Sequence, residues 1–278
     1  MHMRWHHPRF AWRERCDARR CARNRHRIAH CLSRTHVPQG IHMWLFVAAS
    51  VQAGVEQPTV ASCQAQGYAF DALVAAKLER TMPPKSWQKH FGYMGSVIKR
   101  RVVDKNVPGA VVELGVLSGG TSRTLRRFID AFSPGRPFHV YDSFEGLPAR
   151  VQADGVQQRA VDGKGGMAVS EENFKKGFFA HNLTLPEGIH RGYFGNIPAR
   201  EYPKPIAFAF FDGDLYTSIM QSFQKVYHKM SPGGVIMVHD YTESGLFPGA
   251  KKAIDEFLAD KPERVHECFG ILALVVKQ

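Results

Sequence analysis

Acidic residues stand where apolar runs of this sequence give way to turns. Ile206-Ala-Phe-Ala-Phe-Phe211 runs into Asp212-Gly-Asp214, and Val235-Ile-Met-Val238 runs into His239-Asp240-Tyr241. Both runs suit strands of a parallel sheet, and ligands of open α/β folds bind outside the carboxyl ends of such strands. Carboxylates gathered on one rim repel unless they share a cation, and hard oxygen donors suit Mg2+, Ca2+ or Mn2+. The plainer alternative has Asp214 capping the next helix and Asp240 paired with a lysine. Acids at both strand ends favour the metal.

A third stretch, Val111-Val-Glu-Leu-Gly-Val-Leu-Ser-Gly-Gly-Thr-Ser122, reads as buried strand, glycine turn and helix start. Glycines let backbone approach a ligand, and a helix N-terminus offers free N–H groups to a carboxylate or phosphate. The spacing is not G-x-G-x-x-G, so a pyrophosphate is not the expected guest, and a NAD(P) dehydrogenase is disfavoured. A glycine turn after a strand is also often only a turn. The next strand, Phe138-His-Val-Tyr141, ends in Asp142-Ser-Phe-Glu-Gly-Leu-Pro148. Asp142 or Glu145 is placed to accept hydrogen bonds from ribose hydroxyls, or else caps its own loop.

These residues need a framework. With 278 residues, 44% of them hydrophobic, the chain can build one large α/β domain or two small ones. From Tyr68 to Val103 the pattern predicts two helices, the first with Phe70, Leu73, Val74 and Leu78 inward, broken at Pro83-Pro84, the second from Trp87. Thr121–Asp130 has helical spacing, Ala149–Ser170 reads as a mobile polar flap, Glu171–Phe179 as a helix, and Ile189–Phe194 as strand and turn. Helices are expected after Ser218 and over Lys251–Leu258, and the last strands over Val265–Val276. The expectation is an α/β, Rossmann-like fold: a seven-stranded, mostly parallel sheet with helices on both faces and a terminal hairpin.

The net charge of +12 sits unevenly. Residues 1–40 hold ten arginines, no lysine and two acids, or +8, which leaves +4 for the rest. The basic character belongs to a tail rather than to a folded nucleic-acid module, so a nucleic-acid partner is disfavoured. Residues 1–42 are expected to be a disordered Arg/His/Cys-rich tail outside the native product, whose start could be Met43. Met43–Ser50 resembles a short signal core with ill-suited flanks and serves equally as a helix start. Residues 43–105 would form a helical cap, and 106–278 the α/β domain that binds the ligand. The five cysteines make no disulfide framework or zinc spacing, which suits a reduced, cytoplasmic setting, and no run is long enough to span a membrane.

Four motifs, taken together and in order, resemble the macrocin O-methyltransferase family. They are Glu113-Leu-Gly-Val with Gly-Gly-Thr-Ser122, Asp142-Ser-Phe-Glu-Gly-Leu-Pro148, Asp212-Gly-Asp-Leu-Tyr-Thr-Ser218, and Ser231-Pro-Gly-Gly234 with Asp240-Tyr241. The likeness runs from about Tyr93 to Leu258. It implies a class I, S-adenosylmethionine-dependent, metal-assisted enzyme that methylates a sugar hydroxyl of a small glycosylated acceptor, and a homo-oligomer. Glu113, Gly115, Gly119, Gly120, Thr121, Ser122, Asp142, Ser143 and Asp212 would then hold the cofactor. Asp212, Asp214, His239 and Asp240 would be the candidate ligands of Mg2+ or Mn2+. The family often has Asp-Asp-Tyr where this chain has His239-Asp240-Tyr241, so His239 is either a ligand, favouring the softer Mn2+, or a donor beside the ion. The flap has no histidine to act as base, which leaves His181, Lys164 or His239, or deprotonation on the metal with solvent as the sink. A catechol-type acceptor and an inactive scaffold are the competing readings.

Overall fold

The computed structural model describes residues 85–278, apart from 157 and 244, with side chains from His90 onward. The arginine-rich tail, Met43–Ser50, the helix expected around Phe70–Leu78 and the Pro83-Pro84 break lie outside the described residues.

The chain enters through helix α1 (Lys85–Val97), whose last turns widen to π geometry over Ile98–Val103. It then alternates: β1 (Ala110–Leu114), α2 (Gly120–Phe132), β2 (Phe138–Asp142), α3 (Glu171–Phe179), β3 (Gly188–Arg191), β4 (Ile206–Phe211), α4 (Tyr216–Val226), β5 (Met230–Val238), α5 (Pro248–Leu258), β6 (Val265–Cys268) and β7 (Leu272–Val276). The seven strands form one sheet in the order β3-β2-β1-β4-β5-β7-β6. Pairing is parallel from β3 through β5, and β7 is antiparallel to both its neighbours. This is the expected mostly parallel sheet with its terminal hairpin.

Period-2 alternation along the central strands sends side chains to two cores. Val111, Phe208, Phe210, Val235 and Met237 face one side, with Phe91, Tyr93 and Val97 of α1, Leu125 and Phe128 of α2, and Phe174 and Phe178 of α3. Val112, Leu114, Ala209, Phe211, Ile236 and Val238 face the other, with Ile219 and Phe223 of α4 and Ala253 and Ile254 of α5. Covered on both faces, β1 and β4 are buried at every position, which is why they read as unbroken apolar runs.

One expectation changes. The stretch 149–170 is not a free flap: short 3-10 turns at Gln152–Asp154 and Ala160–Asp162 each end in a buried aspartate. Leu147 N–H donates to Gly166 O at 2.9 Å and Gly165 N–H to Leu147 O at 2.9 Å, which closes the loop at its base. Among the described residues, no helix is long and apolar enough to cross a membrane.

Candidate active site

The parallel order puts the carboxyl ends of β1, β2, β4 and β5 on one rim, and a cavity of about 310 Å³ opens there. Its wall collects Gly115, Val116 and Leu117 after β1, Asp142 and Ser143 after β2, and Asp212, Asp214, His239 and Asp240 after β4 and β5. Leu147, Met167, Tyr193, Phe194 and Phe247 supply an apolar side.

Each polar group is positioned by its neighbours. Asp142 accepts Val116 N–H at 2.8 Å on one oxygen and its own loop's Phe144 N–H at 2.7 Å on the other. It caps its loop and at the same time ties the β1 turn to the end of β2. A carboxylate has further lone pairs, so these bonds leave it able to accept more. Gly115, at φ +94°, lies so near the carbonyl of Asp212 that a Cβ there would sit 2.1 Å from that oxygen. Only glycine lets the β1 and β4 ends approach this closely.

The charged corner is tight. His239 Nδ1 lies 3.2 Å from Asp212 Oδ1 and 3.2 Å from Asp240 Oδ2. One ligand atom from each of Asp212, His239 and Asp240 falls within 4.8 Å of the others. Burial opposes charge on the imidazole, but the two carboxylates outweigh it and hold its pKa up to about 11. Asp214 is pushed well above the usual carboxylate range by burial first, then by the charges of Asp212 and Asp240. Asp214 and Asp240 both adopt left-handed backbone, at φ +61° and +60°, a conformation that costs a non-glycine residue about 1 kcal/mol and survives only where the surroundings enforce it.

The other expected site residues lie elsewhere. Gly119, Gly120, Thr121 and Ser122 are not among the cavity-lining residues. Gly119 instead backs onto Phe174 of α3, where a Cβ would meet the ring at 2.9 Å. Glu113 is completely buried, and burial first, then Asp212 and Asp142, raises its pKa well above the carboxylate range. Neither of its oxygens has a well-formed hydrogen bond, although the Ser122 hydroxyl is close enough to oppose the shift. Lys164 is exposed, and His181 is exposed with Nδ1 2.7 Å from Gly177 O; neither lines the cavity. Of the three candidate bases, the structure brings only His239 to the rim. Tyr193, Phe194 and Gln221 were missed, although Gly192-Tyr-Phe-Gly195 follows β3 at the same strand-end level as the rest.

Residues 89–267 match the family model described as Macrocin-O-methyltransferase (TylF). The chain belongs to this family. Among curated relatives of this macrocin O-methyltransferase family member, demethyldecarbamoylnovobiocin O-methyltransferase of Streptomyces niveus is 34% identical over 165 residues, 57% of this chain and 61% of that one. The 8-demethyl-8-(2,3-dimethoxy-alpha-L-rhamnosyl)-tetracenomycin-C 4'-O-methyltransferase of Streptomyces olivaceus is 32% identical over 146 residues, 50% of this chain and 56% of that one. The chain thus spans less than two thirds of the length of these relatives. The solved structure of the O-methyltransferase NovP superposes with a TM-score of 0.58 at 27% identity, over 69% of this chain and 80% of that one. The fold is that of class I Rossmann-like methyltransferases.

Proposed function

We propose that this family member is an S-adenosylmethionine-dependent O-methyltransferase that methylates a sugar hydroxyl of a small glycosylated natural product with help from a divalent cation. The supporting observation is the meeting, in one cavity, of the β1 turn, the Asp142-Ser143 strand end and the corner formed by Asp212, Asp214, His239 and Asp240. One relative is named for O-methylation of demethyldecarbamoylnovobiocin and another for 4'-O-methylation of a rhamnosyl-tetracenomycin, which supports this acceptor class.

The donor sets fit both groups. On the cofactor side, the glycine approach at Gly115 and the carboxylate of Asp142 suit a phosphate-free ligand bearing a ribose and an amino acid. On the metal side, two carboxylates and an imidazole with donor atoms within 4.8 Å of one another suit a borderline ion such as Mn2+ at least as well as Mg2+. When bound, the cofactor supplies an electrophilic methyl group and the cation supplies positive charge beside the acceptor oxygen.

The chain's own residues do the rest. Asp142 and Ser143 would hold the ribose of the cofactor, next to the Gly115–Leu117 turn that Asp142 ties in place. Leu147, Met167 and Phe247 give the cavity an apolar wall that would exclude water from the reacting groups. Asp214 lines the same cavity outside the Asp212–His239–Asp240 triad; positive charge held by the triad would keep it ionised despite its raised pKa, and its carboxylate is the group we assign to take the hydroxyl proton.

Calorimetric titration of S-adenosylmethionine, then of Mn2+ and Mg2+, into wild type and Asp240→Ala tests the reading. Micromolar cofactor binding with a metal heat that vanishes in the variant supports it. Cofactor binding with no metal heat in wild type would mean a metal-free enzyme. Binding of neither would leave a scaffold and sink the proposal.

A further inference from the structure

Beside the active-site rim, three charged residues of loop 147–166 are buried together. The Arg150 side chain is 9% exposed, and Asp154 and Asp162 are 1% and 0% exposed. Arg150 donates to Asp162 O at 3.1 Å, to Leu246 O at 3.2 Å and to Asp154 O, and lies 3.7 Å from the Asp162 carboxylate. Asp162 accepts the backbone N–H groups of Gln158 and Arg159, both at 3.1 Å. Burial would raise its pKa, but those amides and Arg150 outweigh it and hold the carboxyl below the usual range. Asp154 accepts Val151 N–H at 2.8 Å with one oxygen. With the other it reaches out of the loop to Tyr216 N–H, at 2.6 Å.

Those two outward contacts fall on both loops that carry the rim carboxylates. Tyr216 is the first residue of α4, two residues after left-handed Asp214. Leu246 precedes Phe247, a cavity-lining residue on the loop from Asp240 to α5. Leu147, Leu215 and Phe247 pack together from the three segments, with Met167 and Leu246 against them. The start of α5 is shaped for this contact: a Cβ at Gly249 would sit 2.1 Å from Asp154 Oδ1. A glycine there leaves the carboxylate its path to Tyr216. The α4 N-terminus has no side-chain cap from its own segment, so its cap comes from the loop.

We propose that Arg150, Asp154 and Asp162 are positioning residues: through Tyr216 and Leu246 they set the two loops that carry Asp214 and the Asp212–His239–Asp240 corner, so order in loop 147–166 and geometry at the rim are one property. The inference rests on reading that rim as the transfer site. A loop serving only as a cover would need none of these outward bonds. Its charged residues would sit in water, as their types suggest.

The test uses the full chain with Asp154→Ala, Asp154→Asn, Gly249→Ala and the Asp154→Ala/Gly249→Ala pair. Amide hydrogen exchange is followed over residues 150–163, 214–218 and 245–250, and Mn2+ and S-adenosylmethionine binding by calorimetry. Asp154→Ala is expected to speed exchange at 214–218 about tenfold or more. It should weaken Mn2+ binding about 10- to 100-fold while cofactor affinity moves less than about threefold. Asn keeps one acceptor oxygen and should recover most of both losses. Gly249→Ala displaces the carboxylate and should reproduce the alanine phenotype, with the double variant no worse than Asp154→Ala alone. Faster exchange confined to 150–163, with Mn2+ affinity as in wild type, would overturn the proposal. Should Asp154→Ala fail to fold, Asp154→Asn and Gly249→Ala decide it by the same readouts. A wild-type protein that takes no Mn2+ would count against the transfer-site reading alone, and the exchange at 214–218 would still decide the coupling.

Discussion

Two buried clusters of charge lie at opposite places in this sheet, and they are built on different terms. At the hairpin edge, Glu263 accepts from Lys277 Nζ at 2.6 Å, from Gln278 N–H at 3.1 Å and from the Tyr227 hydroxyl, while the Lys277 ammonium lies 4.6 Å from the centre of the Tyr227 ring. One acid meets one base, and each lone pair in use has a donor. At the rim, Asp212, Asp214 and Asp240 crowd around His239 alone. Three acids face one imidazole beside an open cavity. The edge cluster is closed and serves stability. The rim cluster carries surplus negative charge, which suits a cationic or proton-bearing ligand.

The sharpest way to break this contrast is Asp240→Ala. Methyl transfer should fall about a thousandfold, near 4 kcal/mol, in a radiolabelled-methyl assay. The melting temperature should hold or rise, because one of the mutually repelling acids is gone; a large drop would mean that the rim is structural like the edge. Glu263→Ala should do the reverse. It strands Lys277 and should cost about 3 kcal/mol by urea unfolding, with S-adenosylmethionine affinity unmoved.

Acid titration refines the edge half. Burial alone would raise the Glu263 pKa, but Lys277, Tyr227 and the Gln278 amide bring it down to about 2 from an ordinary 4.5. A depressed folded-state pKa means that the unfolded chain binds the proton first. The contribution is therefore whole above about 4.5 and is lost as pH falls toward 2. Stability of Glu263→Gln should decline less steeply across that window than wild type. The smallest effects are expected from Lys164→Ala and His181→Ala. Both residues are exposed and off the cavity, so each should change stability by less than about 0.5 kcal/mol and leave turnover within about twofold.

Much of this could be read in the sequence because its signal is local. The buried runs at β1, β4 and β5, the helix over Glu171–Phe179 and the strand-end acids follow from periodicity and from the rule that parallel sheets bind ligands at their carboxyl ends. What escaped depends on contacts distant in sequence. Arg150, Asp154 and Asp162 sit in a polar, glycine-rich stretch that composition alone marks as a solvated flap, and their burial comes from Tyr216 and Leu246, which lie far along the chain. The glycine turn is placed in a way that spacing does not show: the cavity is lined at Gly115–Leu117, while Gly119 stands against Phe174 of α3. His139 and His190, 3.1 Å apart and stacked beside Tyr141 and Tyr202, form another arrangement that spacing in the sequence does not suggest.

The closed base of loop 147–166 bears on what length of chain the loop can hold. The two backbone bonds between Leu147 and the Gly165-Gly166 pair hold the loop's ends together whatever lies between them. The entropy of joining those ends is then settled by the frame, and lengthening the intervening chain adds only a slowly growing cost. The segment's length could therefore change at small cost, provided that it still supplies a buried carboxylate for the first amide of α4.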